Sequence, residues 1–220
     1  MRLSIANVLT PEECAEIRAK LARADFVDGK TTAGWHARLV KENEQARHHD
    51  PEARRVLDLA RRRLLDHPVF VAAARPKAFA GLLLSRYRPG MHYGRHVDDA
   101  IMGGVRTDLS FTLFLCEPDS YEGGALVIED AEGESEVRLP AGSLYLYPST
   151  TLHRVDPVTR GERLAVVGWV RSFVRDPLAR EILFDLETVR RLEFERHGKS
   201  DVFDLVSKSL ANLLRCWAED

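Results

Sequence analysis

Cysteine, lysine and long apolar runs are all scarce in this chain of 220 residues. Its cysteines, Cys14, Cys116 and Cys216, are far apart and odd in number, which excludes a disulfide framework. The lack of any CxxC pair excludes a zinc ribbon or a thioredoxin-like motif. Three reduced thiols are expected, with Cys14 and Cys116 at least partly buried. No apolar stretch approaches the roughly 20 residues that span a bilayer, and the N-terminus has no signal-peptide core. The expected setting is therefore cytoplasmic, with no membrane partner. Lysine supplies only 6 basic residues against 26 arginines, and acidic residues offset them to a net charge of −2. The one tight basic run, Arg61-Arg62-Arg63, reads as a solvated helix face. Nothing electrostatic requires nucleic acid as a partner.

What is present is a globular composition, 45% hydrophobic and 30% charged, in a chain long enough to bury a core without covalent staples. The order of patterns is helices, then strands, then helices. Thr10-Pro11-Glu12-Glu13 is a capped helix start, followed by Cys14, Ile17, Leu21 and Ala24 on one face. Asp50-Pro51 starts a second helix with Val56, Leu57, Ala60 and Leu64 on its apolar side. Residues 26–49 between them read as a polar, irregular connection, with short strands expected around Trp35 and Leu39.

From Phe79 the period changes. Phe79–Tyr87 ends at the turn signal Pro89-Gly90, and Leu109 to Cys116 alternates with a period near two. Ala125–Ile128, Glu134–Leu139, Ser143–Tyr147 and Arg163–Val170 follow as short strands, punctuated by Glu122-Gly123-Gly124, Pro140-Ala141-Gly142 and Arg160-Gly161. Strands at this spacing suggest a sandwich or double-sheet jelly roll. Asp176-Pro177 starts a third helix carrying Ile182, Leu183, Leu186 and Val189. Gly198 stops it, and Ser200-Asp201 starts a last helix with Phe203, Val206, Leu210, Leu213 and Trp217. These stripes are expected to pack on the sheet, with a homodimer contact through the helical tail as the alternative.

His96-Val97-Asp98 is the first candidate for chemistry. On an extended segment both side chains point to one side, and a second His completes the two-His, one-carboxylate set of non-haem Fe(II) oxygenases. The tripeptide alone carries little: His48-His49-Asp50 contains it too, and there Asp50 is better explained as the cap before Pro51. The candidate second ligand is His153, between two expected strands. Ten residues later, Arg163 shares a face with Ala165, Val167 and Trp169. An inward Arg needs an anionic partner, and a dicarboxylate supplies one through a bidentate pair.

Taken in order, Tyr87-x-x-Gly90-x-x-Tyr93-x-x-His96-x-Asp98, Glu122-Gly123-Gly124, Pro140-x-Gly142 and His153 with Arg163 ten later resemble the Fe(II)/2-oxoglutarate dioxygenases. Within these the chain is most similar to the prolyl-4-hydroxylase-like group, and there to the bacterial PKHD-type hydroxylases. The resemblance covers residues 77–173 and extends to Arg171–Asp176 and the helical tail. It implies a mixed α/β (α+β) fold: a distorted double-stranded β-helix over 77–173, an N-terminal helical region over 1–76 and a C-terminal helical extension over 174–220. It implies Fe(2+) on His96, Asp98 and His153, Arg163 on the distal carboxylate of 2-oxoglutarate, and Tyr87 as a further co-substrate contact. The implied reaction decarboxylates 2-oxoglutarate to succinate and CO2 while O2 hydroxylates a peptide or small-molecule substrate. L-Ascorbate is the auxiliary reductant the resemblance implies.

The other polar residues read more plainly. Asp99 has the wrong parity to join His96 and Asp98, and His92 reads as a loop side chain. Glu122 is a turn residue, whereas Thr112, Tyr145 and Trp169 line either pocket or core. Residues 26–49 and Asp99–Asp108 are the candidate loops over the site. Three alternatives stand beside the hydroxylase: a nucleic-acid demethylase within the same class, a non-catalytic jelly-roll module binding a metal or small acid, and a cupin-type dioxygenase without 2-oxoglutarate. The absence of a basic surface, the complete ligand set and the inward Arg163 weigh against them in turn.

Overall fold

The computed structural model describes residues 1–219. Strand β1 (Leu3–Ile5) leads into helix α1 (Pro11–Leu21), whose N-terminus is closed by a reciprocal capping box between Thr10 and Glu13. Such a cap is worth about 1 kcal/mol. Short strands β2 (Phe26–Asp28), β3 (Lys41–Glu42) and β4 (Glu44–Ala46) precede α2 (Pro51–Asp66) and α3 (Pro68–Ala74). The central strands are β5 (Pro76–Tyr87), β6 (His92–His96), the hairpin β7 (Ile101–Met102) and β8 (Val105–Arg106), and β9 (Leu109–Phe114). They continue with β10 (Glu122–Gly123), β11 (Leu126–Asp130), β12 (Gly133–Val137), β13 (Leu144–Pro148), β14 (His153–Val155), β15 (Val158–Arg160) and β16 (Arg163–Ser172). Helices α4 (Pro177–His197) and α5 (Asp201–Trp217) complete the chain.

Seven strands form the major sheet in the order β1-β13-β9-β16-β5-β4-β2, and five form the minor sheet, β12-β11-β14-β6-β3. Every pairing among the described residues is antiparallel, and apart from the β7–β8 and β11–β12 hairpins paired strands are separated by other elements of the chain, which is the double-stranded β-helix. One apolar cluster, including Ile17, Leu64, Phe70, Phe111 and Val166, joins α1, α2 and α3 to the outer face of the major sheet. A second, with Phe114, Leu126, Ile128 and Tyr147, lies between the sheets.

The major sheet is therefore covered on both faces, and β9 is buried at all six positions. The alternation expected there is real in direction: Leu109, Phe111 and Leu113 join the helix-side core, while Phe114 joins the inner one. Burial itself does not alternate, because neither face meets water.

The N-terminal segment differs from the reading of residues 26–49. Its strands lie at Phe26–Asp28, Lys41–Glu42 and Glu44–Ala46, not around Trp35 and Leu39. Those two side chains are each 78% exposed and pack against no sheet. Residues 1–76 thus contribute strands to both sheets as well as helices. Helix α3, Pro-Val-Phe-Val-Ala-Ala-Ala, also went unread, since a seven-residue apolar run has no amphipathic period. In the C-terminal pair, Leu183 and Leu210 are buried between α4 and α5, whereas Val189, Leu192, Val202 and Leu205 are exposed. Among the described residues, no helix is long and apolar enough to cross a membrane. All three cysteines are free, with Cys14 and Cys116 buried and Cys216 exposed.

Candidate metal and co-substrate site

His96 ends β6 and His153 begins β14, and the two are direct cross-strand partners. Antiparallel pairing sets their rings 4.2 Å apart, centroid to centroid. Asp98, two residues past His96, points to the same side: its Oδ1 lies 3.9 Å from His96 Nε2 and its Oδ2 3.9 Å from His153 Nε2. One ligand atom from each of the three falls within 4.8 Å of the others. That spacing leaves room for an ion between them.

The surroundings fix each donor. His96 Nδ1 is 2.8 Å from the Gly94 carbonyl and His153 Nδ1 is 3.0 Å from the Thr151 carbonyl. A carbonyl only accepts, so Nδ1 carries the proton and each Nε2 lone pair faces the gap. Burial pushes His96 down to about 4, with His153 adding repulsion and Asp98 opposing both. Asp98 Oδ2 accepts from Ser110 Oγ at 2.6 Å, and Ser110 lies 2.8 Å from Ser149 Oγ. Tyr93 stacks on His96 at 3.7 Å and Tyr147 meets His153 edge-on at 5.1 Å. Two imidazoles and a carboxylate are a donor set suited to Fe(II).

The triad opens into a cavity of about 300 Å³ between the sheets. Arg163 and Tyr87 face each other across the β16–β5 pairing and both line this cavity. Arg163 is only 1% exposed, and Nε, Nη1 and Nη2 all lack a hydrogen-bond partner. Its guanidinium lies 5.2 Å from the Tyr87 ring centroid and 5.4 Å from that of Phe114. Gly124, at φ +63°, makes room for this side chain: a Cβ there would meet Arg163 Cδ at 3.1 Å and Val158 Cγ2 at 2.9 Å. Burial raises the Tyr87 hydroxyl's pKa, against the pull of Arg163.

The remaining candidates separate. Thr112 and Trp169 line the cavity, while Tyr145 packs beside the inner cluster. Asp50 caps α2 through Ala53 N, His92 approaches Glu42 at 3.8 Å, and Glu122 pairs with Arg160. Asp99 and Met102 of the β7–β8 hairpin also line the cavity. The cavity also contains Tyr93 of the sequence motif, and residues sequence reasoning missed: Lys41, Asn43 and Gln45 from the N-terminal strands, and Tyr147 beside His153.

A jelly roll with two histidines, one carboxylate and an unpaired buried arginine around one cavity defines the class of metal-dependent oxygenases. The family model of the 2OG-Fe(II) oxygenase superfamily matches residues 82–171. A PKHD-type hydroxylase of Picosynechococcus sp. is 54% identical over 219 residues, covering 100% of both chains. One from Acaryochloris marina is 55% identical over 219 residues, again covering 100% of both. Among solved structures, a Pseudomonas putida prolyl-4-hydroxylase is similar with a TM-score of 0.53 at 24% identity, covering 78% of this chain and 92% of that one. HygX from Streptomyces hygroscopicus, with nickel and 2-oxoglutarate bound, gives 0.55 at 15% identity, covering 79% and 84%. These structural likenesses establish the double-stranded β-helix. The chain belongs to the 2OG-Fe(II) oxygenase superfamily, among its PKHD-type hydroxylases. It is an oxidoreductase, an Fe(II)- and 2-oxoglutarate-dependent hydroxylase, which sets aside the binding-module and cupin readings.

Proposed function

We propose that His96, Asp98 and His153 hold the Fe(II) of this hydroxylase, and that Arg163 and Tyr87 hold the far carboxylate of 2-oxoglutarate. The observation that carries the reading is the Arg163 guanidinium, buried and without a hydrogen-bond partner in the same cavity as the triad. A buried cation lacking an anion is strongly unfavourable, and a carboxylate matches its fork. When bound, iron and 2-oxoglutarate supply oxidative decarboxylation to succinate and CO2, coupled to hydroxylation of a C–H bond with O2.

The residues of the chain set the conditions for that chemistry. Gly94 and Thr151 carbonyls hold both imidazoles in the tautomer that presents Nε2. Ser110 steadies the Asp98 carboxylate. Tyr87 and Phe114 flank the Arg163 guanidinium and keep water from it. Burial pushes the Tyr147 hydroxyl's pKa far up, so it stays a neutral hydrogen-bonding group beside His153.

The test is anaerobic Fe(II) binding with and without 2-oxoglutarate, following the visible charge-transfer band of the chelate. The parent is expected to form the band and His153→Ala to lose it. Arg163→Ala should keep iron but weaken 2-oxoglutarate by roughly 30-fold or more. An unchanged 2-oxoglutarate affinity in Arg163→Ala, or a band that survives in His153→Ala, would overturn the assignment.

A further inference from the structure

A third polar group lines the cavity beside the residues assigned to iron and 2-oxoglutarate. Lys41, Asn43 and Gln45 alternate along the extended segment that carries β3 and β4, so they share one face. All three are buried, at 4%, 4% and 3% exposure, and all line the cavity. Their register is fixed from both sheets, since Lys41 pairs with Tyr93 of β6 and Gln45 with Ser85 of β5. Thr32 Oγ1 bonds Gln45 Oε1 and accepts from Lys41 Nζ at 3.2 Å. Gln45 thus aims Thr32, and Thr32 aims the ammonium. Asn43, beside the Tyr87 hydroxyl, makes no hydrogen bond of standard geometry through either carboxamide atom. Gly29 leaves space for it, because a Cβ there would fall 1.9 Å from Asn43 Oδ1.

Charge bookkeeping identifies what this wall lacks. Fe(II) with Asp98 and the near carboxylate of 2-oxoglutarate is neutral, and the far carboxylate balances Arg163. Lys41 is left over. Among the described residues, no carboxylate comes within 4.0 Å of its Nζ; its hydrogen bond goes to a hydroxyl. The ammonium lies 5.1 Å over the Tyr93 ring, and Tyr93 stacks on His96 at 3.7 Å. A group held by Lys41 therefore lies within two ring contacts of the metal triad. Asp98 of the triad is among the acids whose charge acts on the Lys41 ammonium.

We infer that Lys41 and Asn43 form the substrate subsite, and that the substrate presents a carboxylate to them. The substrate is then a free amino acid, a small organic acid or the terminal residue of a peptide. Lys41 donates to one carboxylate oxygen and Asn43 Nδ2 to the group next to it, while Gln45 and Thr32 are positioning residues. This rests on the iron and 2-oxoglutarate reading above.

The test uses the full chain loaded with Zn(II), which is redox-inert, and saturating 2-oxoglutarate. Binding of the set of N-acetyl amino acids and of their neutral amides is measured by calorimetry. At least one N-acetyl amino acid should bind the parent roughly 10- to 100-fold more tightly than its amide, the range of a charge-assisted hydrogen bond. That preference should collapse in Lys41→Met, return partly in Lys41→Arg and shrink in Asn43→Ala. Circular dichroism checks that each variant is folded. Three results would overturn the inference: no acid bound by the parent, amides bound as well as acids, or a preference that survives in Lys41→Met. If Lys41→Met instead weakens 2-oxoglutarate and leaves the preference intact, the lysine belongs to the co-substrate. Failure of the parent to bind 2-oxoglutarate in a metal-dependent way would sink the underlying reading, and this one with it.

Discussion

Ser110 shows how far the proposed metal site depends on residues outside the His96, Asp98 and His153 set. It sits on β9, is 1% exposed, and its hydroxyl can give only one proton. Asp98 Oδ2 is an obligate acceptor at 2.6 Å, so that proton goes to Asp98, and Ser149 in turn donates to Ser110. The chain Ser149–Ser110–Asp98 holds one carboxylate oxygen and leaves Oδ1 to face His96. Removing such an outer partner typically costs 10- to 100-fold in metal affinity. Ser110→Ala is expected to weaken Fe(II) by about that factor, with a smaller effect on 2-oxoglutarate affinity once iron is saturating. Competitive titration against a chelator measures it. Equal metal affinity in parent and variant would mean that the hydroxyl is merely filling space.

At the scale of elements, the short strands β3 and β4 carry the least expected part of the cavity. Desolvation pushes the Lys41 ammonium down from 10.5 to about 8, with Asp98 and Asp28 opposing it. The folded state therefore holds fewer protons than the unfolded chain between pH 8 and 10.5, and stability attributable to Lys41 rises with pH across that window. Below about 8 both states carry the proton, and burying the charge costs the fold ~3 kcal/mol. Lys41→Met should accordingly stabilise the ligand-free protein at neutral pH by roughly 1–3 kcal/mol and flatten the rise toward alkaline pH. Urea denaturation of both proteins at the two pH values reads this directly. A variant less stable than the parent at neutral pH would make Lys41 a structural residue.

The same strands explain what was and was not legible beforehand. His96, Asp98 and His153 are legible through the His-x-Asp spacing and the resemblance that a distant His completes, and Arg163 through its parity with Ala165, Val167 and Trp169 on β16. Lys41, Asn43 and Gln45 also follow a period of two, but in polar residues. A reading that seeks apolar alternation passes over them and is drawn to Trp35 and Leu39, which face solvent. Their partners Tyr93 and Ser85 lie about fifty and forty residues further along, so nothing local marks the segment as a strand. That pairing, not propensity, makes it one.

At the scale of the whole molecule, Ala218 and Glu219 reach back toward the hairpin that lines the cavity. Ala218 bridges Val174, and Glu219 N donates to the Phe173 carbonyl at 2.7 Å. The Glu219 carboxylate then accepts from Arg106 Nη1 at 2.8 Å. Arg106 ends the β7–β8 hairpin, whose Met102 lines the cavity. The same guanidinium grips Asp108 through Nε and Nη2, and Asp108 accepts from the Ser172 amide. The C-terminus, the end of β16 and the hairpin are thus tied at one arginine. Glu219 is largely exposed, and an exposed pair contributes little to global stability. Its effect is local, because the strands of the hairpin are only two residues long. Glu219→Ala should leave the melting temperature nearly unchanged while amide hydrogen exchange at Met102 and Val105 accelerates several-fold. The Arg106 hydrogen bond holds the Glu219 carboxyl below its ordinary range, so in the parent the tie is intact at neutral pH. It is lost as pH falls through that lowered value, and exchange at the hairpin should rise on acidification in the parent but not in Glu219→Ala. Identical exchange in the two proteins at every pH would show that the hairpin is held by its own turn, and that the chain end has no hold on this part of the cavity lining.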